Sequence, residues 1–114
     1  MAETIFGKIA AGEIAADIVY EDEDVVGFRD IAPQAPTHVL IIPRKPIPTL
    51  NDLASEDAGL IAKMIFAAKK VAEQEGIAKA GYRVVMNCNA AAGQTVFHLH
   101  LHVLGGRPMQ WPPG

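Results

Sequence analysis

The chain has 114 residues, of which half are hydrophobic, and its formal net charge at pH 7 is −3. This length predicts one domain with a single core, residues 1–114, and the single cysteine, Cys88, excludes an internal disulfide framework. The acidic balance argues against non-specific binding to nucleic acid, and no apolar run reaches the roughly 18 residues of a membrane span.

The first residues, Met1–Thr4, lack the basic and apolar regions of a signal peptide, so we expect a cytoplasmic protein with no membrane partner. Thr4 is a suitable N-cap for a short helix over Ile5–Ala10, and Gly12 is a C-terminal stop. The apolar residues of this region share one surface, which by itself fits ordinary core: Phe6, Ile9 and Ile14.

Two short strands follow, joined by an acidic turn. The apolar and β-branched residues at 18–20 and 25–28 predict a hairpin around the four acids at 21–24. These acids fit a solvated turn rather than a calcium loop, because they lack the glycine and the distal glutamate of such a site.

Asp30 follows the second strand, in a loop that Pro33 and Pro36 stiffen. Its carboxylate fits either a turn cap or an acceptor for the two hydroxyls of a ribose. His38 opens the continuously apolar run at 39–42, which predicts a central strand of the sheet. We interpret His38 as a structural or supporting residue, with a direct proton role as the alternative.

The main helix is predicted to begin at Ser55, an N-cap oxygen followed by Glu56 and Asp57 in the positive first turn. Gly76 is its predicted stop. Between them, apolar residues recur at three- and four-residue steps and predict a stripe that faces the core or an interface: Leu60, Ile61, Met64, Ile65, Ala68, Val71 and Ala72.

The last two predicted strands cover residues 81–87 and 95–104. In the second, His98, His100 and His102 alternate with apolar side chains, so one face is apolar and the other carries imidazoles. On a straight strand, neighbouring histidines lie about 6.6 Å apart and the outer pair about 13 Å apart. Together the elements predict an α+β fold, with an antiparallel sheet of about five strands, one long helix and one short helix.

The three alternating histidines have three conceivable uses. A zinc site needs nitrogens about 2.0–2.1 Å from the metal, and three histidines on one straight strand do not converge in that way. A purely structural role would require burying three imidazoles without a compensating function. Nucleophilic and acid–base chemistry is favoured, because imidazole is both a nucleophile and a proton carrier near neutral pH.

The loop before the triad supplies donors for an anion. Gly93 permits close approach of backbone N–H groups to a phosphate oxygen, and the Gln94 amide and the Thr95 hydroxyl are further donors. Asn87, at the end of the preceding strand, fits either a contact beside the histidines or a strand-end turn. In the C-terminal tail, Trp111 is expected to pack on the body or on a neighbouring subunit, because an exposed tryptophan is costly in water.

The run His98-x-His100-x-His102 resembles the motif of the histidine triad (HIT) superfamily. Three further segments, Ile5–Ile9, Asp30–His38 and Gly105 through Trp-Pro-Pro-Gly at the C-terminus, resemble the nucleotide-binding (Hint) branch. The resemblance covers nearly the whole chain. It implies a HIT-like fold and a homodimer in which the sheets of two protomers join.

The resemblance also implies roles for particular residues. Apolar side chains would form a purine pocket, Asp30 would bind the ribose, and the loop with Asn87 would bind the phosphate. The residues that would contact a nucleotide are Phe6, Ile9, Ile14, Phe28, Ile31, Asp30, Asn87, Gly93, Gln94 and Thr95. One departure stands out, because many family members carry a histidine where this chain has Pro46, which offers no side-chain proton.

The implied reaction is hydrolysis of purine nucleoside 5'-phosphoramidates. His100 would attack the α-phosphorus and form a nucleotidyl-histidine, which water hydrolyses to the nucleoside monophosphate. His98 and His102 would neutralise charge on the phosphoryl group, and no metal or cofactor is required. Two alternatives remain open from the sequence: a dinucleoside polyphosphate hydrolase, and a nucleotide-sensing or scaffold module with incidental hydrolysis.

Overall fold

A computed structural model describes residues 3–114, so Met1 and Ala2 of the segment screened for a signal peptide lie outside the described residues. The elements, in chain order, are helix α1 (Ile5–Ala10), strands β1 (Ile18–Glu21), β2 (Val25–Arg29) and β3 (Thr37–Pro43), helix α2 (Ala58–Gln74), and strands β4 (Tyr82–Val85) and β5 (Leu101–Gly105). Short 3-10 turns span Leu50–Asp52, Ser55–Asp57 and Ala90–Ala92. Within residues 3–114, the longest and most apolar helix still falls short of what a bilayer crossing requires.

The five strands form one sheet in the order β1-β2-β3-β5-β4, and every neighbouring pair is antiparallel. The predicted α+β class and the predicted hairpin are therefore confirmed. Strand β3 lies in the middle and is buried at all seven positions, as its continuous apolar run predicted.

The sheet is covered on both faces. On β3, Val39 and Ile41 point to the core under α2, whereas Leu40 and Ile42 point to a smaller cluster under α1, as the alternation of side chains in a strand requires. The smaller cluster includes Phe28 of β2 and Ile9 of α1, with Phe6 packed against it. This second, smaller face is the one that carries the apolar candidates for nucleotide binding.

Helix α1 has its predicted cap and stop. The Thr4 hydroxyl accepts a hydrogen bond from the Gly7 N–H at 3.1 Å, which satisfies one of the free donors of the first turn. Gly12 has φ +77°, the left-handed conformation that suits glycine after a helix end. Local sequence therefore fixes the position of this short helix.

The predicted start of the long helix was wrong. Ser55 lies in the 3-10 turn, and α2 begins at Ala58. The Asp57 carboxylate instead accepts the Ala54 N–H at 2.9 Å and pairs with Lys45 at 2.6 Å. A long-range ion pair thus holds the turn that the sequence alone assigned to a serine cap. The predicted stop is confirmed, because Gly76 has φ +74°.

The predicted stripe on α2 is largely confirmed, because Met64, Ala68, Val71 and Ala72 are buried. Ile65 is the exception and is 50% exposed. Position 65 follows Met64 by one residue, about 100° around the helix axis, and so it turns away from the sheet.

The predicted strand over 95–104 was wrong in its first half, because regular pairing begins only at Leu101. Residues before it bond elsewhere: the Leu99 N–H donates to the Ile47 carbonyl at 2.7 Å and the His98 imidazole contacts the Pro43 carbonyl oxygen at 2.7 Å. The three histidines therefore do not lie on one straight strand.

Candidate functional site

Two of the three alternating histidines come close together, and a third partner comes from another strand. The ring centroids of His100 and His102 are 5.0 Å apart, and those of His38 and His102 are 5.2 Å apart. Strand register explains the second contact, because Leu40 of β3 lies opposite His102 of β5. The structure thus builds an imidazole cluster across two central strands.

His100 is held in one tautomer by its own chain. Its Nδ1 lies 2.7 Å from the carbonyl oxygen of His98, and a carbonyl oxygen only accepts, so Nδ1 carries the proton. In the neutral ring, Nε2 then has a free lone pair. Phe6 packs edge-on against the ring with centroids 5.1 Å apart, and the side chain is buried. The Nε2 atom of His100 is accordingly held in place with a free lone pair, as a nucleophile requires.

His102 is held in the opposite tautomer through His38. The backbone N–H of Gln34 donates to His38 Nδ1 at 3.0 Å, so the proton of the neutral His38 ring sits on Nε2. That Nε2 lies 2.9 Å from Nδ1 of His102, which therefore accepts, and His102 carries its proton on Nε2. The chain of three groups leaves His102 as an N–H donor.

His98 has a different place from the one predicted. It is almost fully buried, and its Nε2–H donates to the carbonyl of Pro43 at 2.7 Å. The expectation that His98 neutralises phosphoryl charge finds no free N–H on this ring. His98 contributes to the cluster through its main-chain carbonyl, which orients His100.

The imidazoles are uncharged near neutral pH. Burial lowers the pKa of His38, His98 and His100 from the ordinary value. The pKa of His102 falls to about 4, because burial removes water and because the His100 and His38 rings are close. A neutral cluster keeps the nucleophilic lone pair of His100 available.

Asp30 sits at the edge of this cluster. One carboxylate oxygen accepts the Ala32 N–H at 2.8 Å, as a turn cap does. The other oxygen lies 3.4 Å from His38 Nε2. Both interpretations of Asp30 from the sequence are therefore compatible with its position, because the cap uses one oxygen and the second faces the histidines.

An apolar pocket of about 530 Å³ opens beside the cluster. Its lining brings together seven of the predicted nucleotide contacts, namely Phe6, Ile9, Ile14, Phe28, Asp30, Ile31 and Thr95. Leu40 also lines it and was missed, because its apolar strand context looks like ordinary core. Aromatic and aliphatic walls with a few polar groups at one end are typical of a site for a planar ligand.

The loop before the triad differs from the prediction. Gly93 adopts φ +91°, but its N–H donates to the Ala90 carbonyl at 3.0 Å. The Gln94 side chain is buried and gives both amide hydrogens to carbonyl oxygens, those of Pro48 and Val96. Neither residue therefore offers a free donor to a phosphate, whereas the exposed Thr95 lines the apolar pocket.

Asn87 lies just beyond β4, where Val85 is paired with His102. Asn87 is two residues past this last pair and His100 directly precedes β5, so both leave the sheet at the same end of these two strands. On the other side of His98 lies a second cleft of about 800 Å³, which Pro46, Phe97 and Arg44 line with the outer face of α1. The position that departs from the family pattern thus borders the triad.

Within residues 3–114, one group has metal-ligating potential. Asp30, His38 and His102 offer ligand atoms that all lie within 4.8 Å of one another. The two imidazoles, however, are already joined by a hydrogen bond at 2.9 Å, and a shared metal would have to replace it. That hydrogen bond accounts for the closeness of the two rings.

The chain is similar to known proteins over most of its length. The family model of the HIT domain matches residues 11–109. The purine nucleoside phosphoramidase of Escherichia coli is 58% identical over 107 residues, which cover 94% of this chain and 90% of that protein.

Solved structures agree with this match. A HIT family hydrolase from Legionella pneumophila superposes with a TM-score of 0.95 at 55% identity, covering 96% of this chain and 98% of that one. A HIT family hydrolase from Clostridium thermocellum gives a TM-score of 0.93 at 47% identity, covering 96% of both chains.

Proposed function

This chain belongs to the HIT domain family, and from that membership we propose that it is a hydrolase that cleaves purine nucleoside 5'-phosphoramidates. The observation that carries the proposal is the tautomer of His100. Its Nδ1–H is held by the His98 carbonyl at 2.7 Å, which leaves Nε2 free to attack phosphorus. The similarity to the Escherichia coli enzyme supports the choice of substrate class.

The first step transfers the nucleotide to the enzyme. The Nε2 lone pair of His100 forms a bond to the α-phosphorus while the bond from phosphorus to the amine nitrogen breaks. The leaving nitrogen takes up a proton from solvent and departs as an amine, and we assign the Nε2–H of His102 and the Thr95 hydroxyl as hydrogen-bond donors to the phosphoryl group. The positive charge that develops on the His100 ring is stabilised by the carbonyl oxygen at Nδ1.

The second step releases the nucleotide. A water oxygen bonds to phosphorus, the bond from phosphorus to Nε2 breaks, and the water gives up a proton to solvent, so that a nucleoside monophosphate and neutral His100 are formed and the proton taken up in the first step is returned. Dividing one displacement into two steps is the advantage of a histidine nucleophile. The proposed mechanism calls on no metal or cofactor.

The roles of the surrounding residues follow from their positions. We assign the base to the apolar pocket between Phe6, Ile14 and Phe28, and the ribose hydroxyls to the Asp30 oxygen that faces His38. Asn87, two residues beyond the end of β4, and Thr95 are assigned to the phosphate. These side chains would hold the α-phosphorus against His100, and such positioning lowers the entropic part of the barrier.

We also propose a homodimer in which the sheets of two protomers join through β4. This strand is an edge of the sheet, and an unpaired edge is a template for pairing. Val84 on β4 is 39% exposed, and Phe66 on α2 is 68% exposed, which supports a covered apolar surface here. Trp111 does not pack on the body of its own protomer, because it is 82% exposed. The other predicted position, against the neighbouring subunit, is part of the proposed dimer.

The proposed reaction is tested by single turnover with adenosine 5'-phosphoramidate, acid quench and intact mass measurement. The wild type is expected to release AMP through an adenylyl adduct that maps to His100. His100→Ala is expected to lose both products while retaining AMP binding, which shows that its site is intact. Tight AMP binding without turnover above this variant would overturn the hydrolase and leave a nucleotide-binding module.

A further inference from the structure

The Gln94 side chain is the most completely paired polar group beside the proposed phosphate site. It is only 5% exposed. Its Oε1 accepts the Asn89 N–H at 2.8 Å, and its Nε2 donates to the carbonyls of Pro48 at 2.9 Å and Val96 at 3.1 Å. A primary amide has two hydrogens to give, so neither hydrogen is left for a ligand.

These bonds close a turn that is unfavourable on its own. The Ala92 N–H and the Gln94 N–H both donate to the Asn89 carbonyl, at 3.2 and 3.1 Å. Asn89 itself adopts φ +68° and ψ −177°, a conformation that side-chain-bearing residues rarely accept. Because the Gln94 amide holds the N–H of this same residue, it stabilises the turn at its most strained point.

The same amide also ties the turn to a separate segment, the proline segment at residues 43–48. Pro48 accepts from the Gln94 amide, and Ile47 accepts the Leu99 N–H at 2.7 Å. Both ends of the stretch between Gln94 and Leu99 are thus fixed to one short run of carbonyl groups. Three prolines stiffen that run, because each fixes its own φ angle.

The stretch between the two anchors contains the groups that the reaction uses. Thr95 lines the apolar pocket, and the His98 carbonyl holds the proton of His100. A change in the length or direction of this stretch would move both groups relative to the phosphorus. The anchors also explain why these residues leave the sheet.

We propose that Gln94 is a positioning residue whose buried amide clamps the turn at residues 89–94 to Pro48. The clamp sets the position of Thr95 relative to the phosphate and the position of the His98 carbonyl that orients His100. The identity of the phosphate rests on the proposed function. The clamp acts through its neighbours and does not touch the substrate.

The test compares two ligands that differ only in the phosphate. Gln94→Met removes the three hydrogen bonds at similar volume, and Gln74→Met on the exposed end of α2 is the matched control. Affinities for AMP and for adenosine are measured by calorimetry. We expect Gln94→Met to weaken AMP binding about 10-fold or more, with adenosine within about twofold, since misplacing a binding group costs affinity only for the part that it contacts. The control is expected to change neither.

A double-mutant cycle with Thr95→Val separates a clamp from direct contact. If Gln94 acts through Thr95, the second substitution costs little once the first is made, whereas independent contacts add. Additive losses, an equal loss for AMP and adenosine, or no loss in Gln94→Met would each overturn the clamp. If Gln94→Met shows the AMP-specific loss but the wild-type protein does not hydrolyse the phosphoramidate, the proposed reaction is refuted and the clamp is retained.

Discussion

Acidification is expected to destabilise this protein through its buried histidines. The pKa of His102 is about 4 in the fold and about 6.5 in an unfolded chain. Between these two values the unfolded state binds more protons than the native state, so stability falls as the pH falls. Above about pH 6.5 both states hold His102 neutral and the contribution is constant.

The size of the effect follows from the two pKa values. For His102 alone, a drop from about pH 7 to about pH 4.5 removes about 2.5 kcal/mol of the free energy of unfolding. Partial exposure of the ring reduces this figure by solvent screening, so about 2 kcal/mol is expected. His38, His98 and His100 shift in the same direction and add to the loss. Most of the interval from about pH 7 to about pH 4.5 lies above the ordinary pKa of carboxylates, so histidines account for most of the protons bound there.

Urea unfolding followed by circular dichroism at about pH 7, 6, 5 and 4.5 measures the effect. Protein concentration is held constant, because a dimer gains stability by mass action. His102→Asn is the control and should show a shallower dependence on pH. A free energy of unfolding that stays level over this range, or an imidazole proton resonance of His102 that titrates near pH 6.5, would refute the reasoning.

Three further substitutions test other parts of the fold and site. Gly105→Ala places a Cβ 2.6 Å from Ile77 Cδ1 and should cost about 1–3 kcal/mol in thermal or urea unfolding. Gly59→Ala in α2, with nothing within 4 Å, should be neutral or stabilising, because alanine favours a helix over glycine. Equal costs would contradict the packing. Val84→Arg should convert the proposed dimer to monomer in light scattering, and an unchanged mass would exclude β4 as the joining edge. Pro46→His should raise kcat with little change in KM, because it adds a proton carrier to the cleft beside the triad; unchanged kcat would show that this position contributes no proton.

Several parts of the fold were readable from the sequence because their signals are local. The Thr4 cap, the stop at Gly12 and the hairpin depend on residues within a few positions of each other. The continuous apolar run of β3 predicted its central place, because only a strand buried on both faces needs no polar side. The apolar side chains at positions 6, 9 and 14, grouped from the sequence as one surface, line one cavity; that this cavity binds a base stays a prediction.

Other features depended on residues that are far apart in the chain. His38 and His102 are 64 positions apart and meet at 2.9 Å, so their tautomers follow from strand register. Gln94 was predicted as a phosphate donor by residue type, but the carbonyl of Pro48, 46 positions away, takes one of its hydrogens. Every residue carries a main-chain carbonyl, so no side-chain pattern in the sequence indicates which carbonyl a buried amide will contact.

The chemistry of the site also depends partly on local sequence and partly on residues that are far apart in the chain. The alternating histidines alone indicated a nucleophile and its neighbours, because imidazole is suited to both roles near neutral pH. Which ring attacks, which donates and which only supports was decided by the tertiary structure, through the carbonyl at His100 and the His38 imidazole at His102. A tautomer is set by the partner of the opposite nitrogen, and those partners exist only once the chain is folded.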